Sequence, residues 1–180
     1  AAFFVALIIT GFSMHFGGAP AQVVSFQTSR IVHNVSGWLL IGNFVAYIVG
    51  LALTSQWRQY LRFNDGFAGS MLEQARYYGG GIFRGEPHPE HPTEERKFNA
   101  LQQVTYLGIV ALVLPLVILT GIMLQFPETA PKEILGNGGV SPLAVLHTVV
   151  AYLLVAFTIG HIYLATTGET PDENIRAMVT

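Results

Sequence analysis

Uncharged apolar runs and polar breaks alternate along this chain. Ala1–Ser29, Ile31–Trp57, Phe98–Pro127 and Ile134–Gly168 contain no Asp, Glu, Lys or Arg. Each is long enough to hold the roughly 20 apolar residues that carry a helix across a bilayer core. The breaks define four segments. The first runs from before Ala1 to about Phe16, where Gly17–Pro20 punctuates its end, and the second covers about Ser29–Ser55. The third covers about Asn99–Phe126, stopped by PETAP, and the fourth about Pro142–Thr167. Pro142 lies in the first turn of that helix, where proline is favoured. The opening run AAFFVALIITGFSM has only about 14 apolar residues, too few to span, so its helix is expected to begin before Ala1. A polar, Gly- and Pro-rich stretch at about 56–98 separates the second and third segments. It is too long for a tight turn and predicts a structured loop with a short surface helix around Gly69–Tyr78. The expected fold is all-α: an integral membrane four-helix bundle forming a single domain over residues 1–180.

Composition sharpens this picture. Hydrophobic residues make up 51% of the chain and charged residues 11%, with a mean hydropathy of +0.47. Soluble domains carry about 25% charged residues. A net charge of −2 offers no basic surface to a nucleic acid. The absence of cysteine removes disulfides, thiolate metal sites and iron–sulfur ligation by this chain. Arg58, Arg62, Arg76, Arg84, Arg96 and Lys97 fall in the loop at 56–98, and Arg176 in the tail. The other two loops hold only Arg30 and Lys132. The positive-inside rule then places the 56–98 loop and both termini in the cytoplasm.

Three of the six histidines fall inside the spans: His33, His147 and His161. Ionisable side chains in a bilayer are costly and mark functional sites by default. His147 and His161 are 14 residues apart. On a helix this is about 21 Å of rise and only about 40° short of whole turns, so they share one face near opposite membrane surfaces. His33 lies at the depth of His147, and two neutral imidazoles facing each other there would ligate one haem iron axially. Gly37, one turn beyond His33, leaves room for a flat macrocycle, and Arg30, one turn before it, is placed for a propionate. Trp38, Phe44, Tyr47, Tyr152 and Phe157 either wall that pocket or simply pack. A single buried histidine is more often hydrogen-bonded packing. A metal site or proton relay is the other use of the pair, but the spans hold neither a third ligand nor a carboxylate. His15 reads as interfacial, and His88 and His91 as solvated loop residues. Gly108, Pro115 and Gly121 read as helix packing or a kink.

RIVHNVSGW, RYYGGGIFRGE, KFNALQQVTYL, LTGIMLQFPE and HIYLATTGET resemble the thiosulfate-reductase cytochrome b subunit family. That family is similar to the cytochrome b subunits of respiratory formate dehydrogenase and nickel–iron hydrogenase. The resemblance covers nearly the whole chain. It implies a subunit with two haem b groups in the bacterial inner membrane, exchanging electrons between menaquinone or ubiquinone and a periplasmic iron–sulfur or multihaem cytochrome subunit. It implies that His33 and His147 ligate an outer haem, and His161 an inner one together with a first-helix histidine. That first-helix ligand has no counterpart from Ala1 onward and is expected about two to five positions before Ala1, the depth of His161. The resemblance also implies quinone contact at KFNALQQ, with Asn99 and Gln102 as polar groups and His161 nearby; Leu101 stands where the formate-dehydrogenase relative has glycine. The residues alone equally fit a helix cap at Asn99 with Gln102 as its capping-box partner. No catalytic centre is expected here, since the terminal chemistry would belong to a partner. Two other classes remain open: a stand-alone membrane cytochrome with a soluble donor, and a transporter or channel subunit.

Overall fold

In a bilayer the backbone must satisfy its own hydrogen bonds, so long uncharged apolar runs become helices. The computed structural model of the chain describes residues 2–61, 63, 65–89 and 98–166. Helix α1 covers Ala2–His15 and α2 covers Phe26–Leu53. Helix α3 covers Phe67–Arg76, α4 Ala100–Gly108, α5 Leu114–Gln125 and α6 Val140–Ala165. Three helical stretches, Phe26–Leu53, Ala100–Gln125 and Val140–Ala165, are long and apolar enough to cross a membrane; α1 is apolar but shorter. The expected short surface helix is present as α3, two residues earlier than its pattern indicated. Arg62, His91, Arg96, Lys97, Thr167 and Arg176 lie outside the described residues.

The helix boundaries have local causes. The Ser25 hydroxyl accepts the Thr28 N–H at 3.3 Å, a cap that starts α2 three residues before the expected Ser29. A π turn at Ile109–Val113 joins α4 to α5 immediately before Leu114–Pro115. Proline cannot donate to the helical ladder and its ring crowds the preceding turn. A wider turn at this point accommodates both effects. Between α5 and α6 a two-residue hairpin pairs Glu133–Ile134 (β1) with Asn137–Gly138 (β2). Its turn places Leu135 and Gly136 at φ 51° and 77°.

Two compact units divide the chain: Ala1–Ile41 with Leu116–Thr180, and Gly42–Pro115. In the first unit the buried positions are small and polar. Thr10, Ser13, Ser29, Ser36 and Thr120 are buried together with Leu143, Val150 and Leu154. Phe3, Ile9, Val35, Leu39, Leu119 and Leu153 are exposed instead. This inversion is what lipid-covered helices show, since small side chains let backbones approach while apolar ones face the acyl chains. Ser13 Oγ accepts the Val24 N–H at 3.2 Å, and Ser29 Oγ donates to the Val24 carbonyl at 3.4 Å. These bonds tie the α1–α2 connection to both helices.

The second unit is organised around amides. Gln103 is 1% exposed, and its Nε2 donates to the Tyr60 carbonyl at 3.1 Å. Gln74 on α3 is fully buried, and neither end of its amide has a hydrogen-bond partner among the described residues.

Candidate functional site: a histidine pair held by two threonines

The first unit brings His33 of α2 and His147 of α6 together. Their ring centres are 6.3 Å apart, with the planes inclined at 66°. A metal–imidazole bond of about 2.0 Å, plus about 1.15 Å from nitrogen to ring centre, sets two imidazoles on one ion at ~6.3 Å between centres. The observed spacing of the ring centres equals that value. Gly37, one turn from His33, has nothing within 4 Å of where a Cβ would stand. Open space beside the helix is what a flat group lying there needs. Arg30 is exposed near the start of α2.

Each ring is held from behind by a neighbouring helix. Thr10 Oγ1 of α1 lies 3.0 Å from His33 Nδ1, and Thr120 Oγ1 of α5 lies 2.9 Å from His147 Nδ1. The residue after each threonine is glycine. A Cβ at Gly11 would stand 3.4 Å from His33 Cε1, and one at Gly121 3.2 Å from His147 Cε1. Two Thr-Gly pairs thus perform the same packing on two histidines. The sequence reading missed the threonines and Gly11, and took Gly121 only as packing. The available signal was the dipeptide itself, in ITGF and LTGI, each ahead of a histidine-bearing helix.

The other predicted residues divide. His161 sits half-buried on α6 with its ring stacked on Phe157, centres 5.7 Å apart. Tyr152 packs edge-on against Phe12 and His15 of α1. His88 is not simply solvated: its ring packs against Tyr77 and Tyr78, and its Nε2 meets the Tyr78 hydroxyl at 3.1 Å. Asn99 and Gln102 form a reciprocal capping box on α4, Gln102 N–H to Asn99 Oδ1 at 2.8 Å and Asn99 N–H to Gln102 Oε1 at 3.2 Å. The box engages both side-chain oxygens. A cleft of about 380 Å³ opens beside the neighbouring Phe98, lined also by Tyr47, Thr54, Gln59 and Tyr60. The Tyr47 and Tyr60 hydroxyls bond to each other. Burial, then this bond, pushes the Tyr60 phenol above its ordinary range.

The model of the family described as prokaryotic cytochrome b561 matches residues 1–180. The chain belongs to the prokaryotic cytochrome b561 family. It is a multi-pass bacterial membrane cytochrome b, of a family that binds haem b and transfers electrons. The Escherichia coli (strain K12) protein named "Putative cytochrome YdhU" is 34% identical over 181 residues, covering 98% of this chain. The chain spans 66% of that relative's length. No solved structure matches it.

Proposed function

We propose that this b561-family chain is the membrane cytochrome b subunit of a respiratory oxidoreductase, passing electrons between membrane quinone and a periplasmic partner. The observation that supports it best is the 6.3 Å spacing of the His33 and His147 rings between two apolar helices long enough to span a membrane. In this reading His33 and His147 ligate the outer of two haem b groups. His161 ligates the inner one. Haem b, when bound, would supply the one-electron chemistry.

The chain's own residues do the rest. The imidazoles hold the iron, Gly37 leaves room for the macrocycle, and Arg30 pairs with a propionate. Asn99 and Gln102 meet menaquinone or ubiquinone. The capping box uses the oxygens of the two amides, and the Asn99 side chain also bonds that of Tyr78, so the Gln102 NH₂ is the donor offered to a quinone carbonyl. The apolar helix faces exclude water, so polar contacts inside are stronger than in solution. Four spans place the 56–98 loop and both termini on the cytoplasmic side of the inner membrane, following the Lys/Arg distribution. The partner is an iron–sulfur or multihaem cytochrome subunit carrying the terminal catalytic centre.

Purification of the intact complex tests this reading. A b-type α-band in the reduced-minus-oxidised spectrum, two haems per chain and a co-purifying periplasmic redox subunit are expected. Absence of the band overturns the haem assignment at this pair. A haem-loaded chain that purifies alone and accepts electrons from a soluble donor, not from quinol, overturns the subunit role.

A further inference from the structure

A threonine hydroxyl has one proton to give. Thr10 Oγ1 lies 2.6 Å from the Ala6 carbonyl, and Thr120 Oγ1 2.8 Å from the Leu116 carbonyl, each one turn back on its own helix. A carbonyl oxygen only accepts, so both hydroxyl protons are committed there. The same oxygens lie 3.0 and 2.9 Å from His33 Nδ1 and His147 Nδ1. With the protons spent, each hydroxyl can meet the imidazole only as an acceptor, and Nδ1 must carry the hydrogen. Thr10 is 3% exposed and Thr120 2%, so water cannot take over either role.

We infer that Thr10 and Thr120 are positioning residues that fix both histidines as the Nδ1–H tautomer, leaving Nε2 as the ligating nitrogen, and set its donor strength. The inference rests on the haem reading of the His33–His147 pair. Its physical basis is general: a ligating imidazole that donates its other N–H is oriented and made a better electron donor. A neutral hydroxyl is a weaker acceptor than a carboxylate, so the rings stay imidazoles with only modest extra basicity. Gly11 and Gly121 complete the device. Their missing side chains let Cε1 of each ring come against the helix that carries its threonine. Because the two sides are built alike, both axial ligands are tuned in the same direction.

Redox titration of the purified, haem-loaded protein tests this with Thr10→Val, Thr120→Val and the corresponding serine variants. Valine keeps the shape and removes the hydroxyl, leaving the Leu7 and Val117 carbonyls as the remaining backbone acceptors at the two rings. The imidazole becomes a poorer donor, and ferric iron is the form that loses most. Loss of such an outer partner costs roughly tenfold in metal affinity. Falling on the ferric form, a tenfold change raises a one-electron midpoint by about 59 mV. The serine variants should stay near the wild-type midpoint. A valine variant that keeps its haem and low-spin spectrum with an unchanged midpoint overturns the inference. Should a valine variant lose its haem, the wild-type protein decides: with ¹⁵N-labelled histidine, its diamagnetic ferrous form should show exchange-protected Nδ1–H on both ligand rings. Protons on Nε2, or freely exchanging Nδ1–H, overturn it. Failure of the haem reading looks different: the wild type would lack a bis-imidazole spectrum, or keep it in His33→Ala.

Discussion

His33 stands with its ring centre 6.3 Å from that of His147, although the two residues come from helices near opposite ends of the chain. The spacing matches two imidazoles sharing one metal ion, and neither belongs to a larger cluster. Among the described residues no group of three or more His, Cys, Asp or Glu side chains is gathered to hold a metal. An ion held by protein side chains alone would need more donors. A haem, which brings its own ring nitrogens, would ask the chain for no more than a histidine pair such as this one.

Replacing either histidine by alanine should therefore remove one haem while leaving the chain in the membrane. The span lengths and hydropathy do not depend on either residue. Haem-to-protein ratio and the low-spin absorption of purified His33→Ala and His147→Ala are the measurements. Undiminished haem with an unchanged spectrum in His147→Ala would show that the pairing is wrong.

Gly37→Leu separates haem accommodation from protein packing. Nothing lies within 4 Å of a Cβ at this position, so the protein tolerates the side chain. Removing a helix glycine should even favour α2 by up to about 1 kcal/mol. The leucine would fill the space offered to the macrocycle, so the expected result is a stable protein with reduced haem content. Full haem content would mean that the group lies elsewhere on the helix.

The amides of Asn99 and Gln102 serve helix capping in the structure, and quinone contact is a second role to be separated from the first. Asn99→Asp combined with Gln102→Glu keeps the accepting oxygens of the box and removes both NH₂ donors. The cap, whose loss would cost about 0.5–2 kcal/mol, should survive. Reduction of the haems by quinol should slow while the spectra stay unchanged. Normal quinol kinetics in this double variant would reduce the two residues to their cap.

Gln74→Leu should stabilise the protein. The amide is fully buried without a partner among the described residues. Burying unpaired polar groups costs about 1–3 kcal/mol, most of which an apolar side chain of similar size recovers. A higher unfolding temperature of the detergent-solubilised protein is expected. A clear drop would reveal that Gln74 has a polar partner in the membrane-embedded protein.

The apolar runs, the cap at Asn99 and the histidines within the runs were legible in the sequence, while the Ser25 cap that starts α2 three residues early was not. Hydropathy reports spans directly, because a polar group in hydrocarbon without a partner is too costly to keep. That His147 and His161, 14 residues apart, share a helix face follows from helix periodicity alone, and the capping box at Asn99 from a three-residue spacing. What only the tertiary structure decided is which helix face meets which. The Thr-Gly pairs at 10–11 and 120–121 read as ordinary small residues in apolar helices. Their hold on His33 and His147 depends on how α1 and α5 are rotated against α2 and α6. Mixed apolar faces leave that rotation unspecified, since lipid covers leucine on any side equally well. Close approach of backbones at small residues selects it, and a sequence read one helix at a time does not contain that contact.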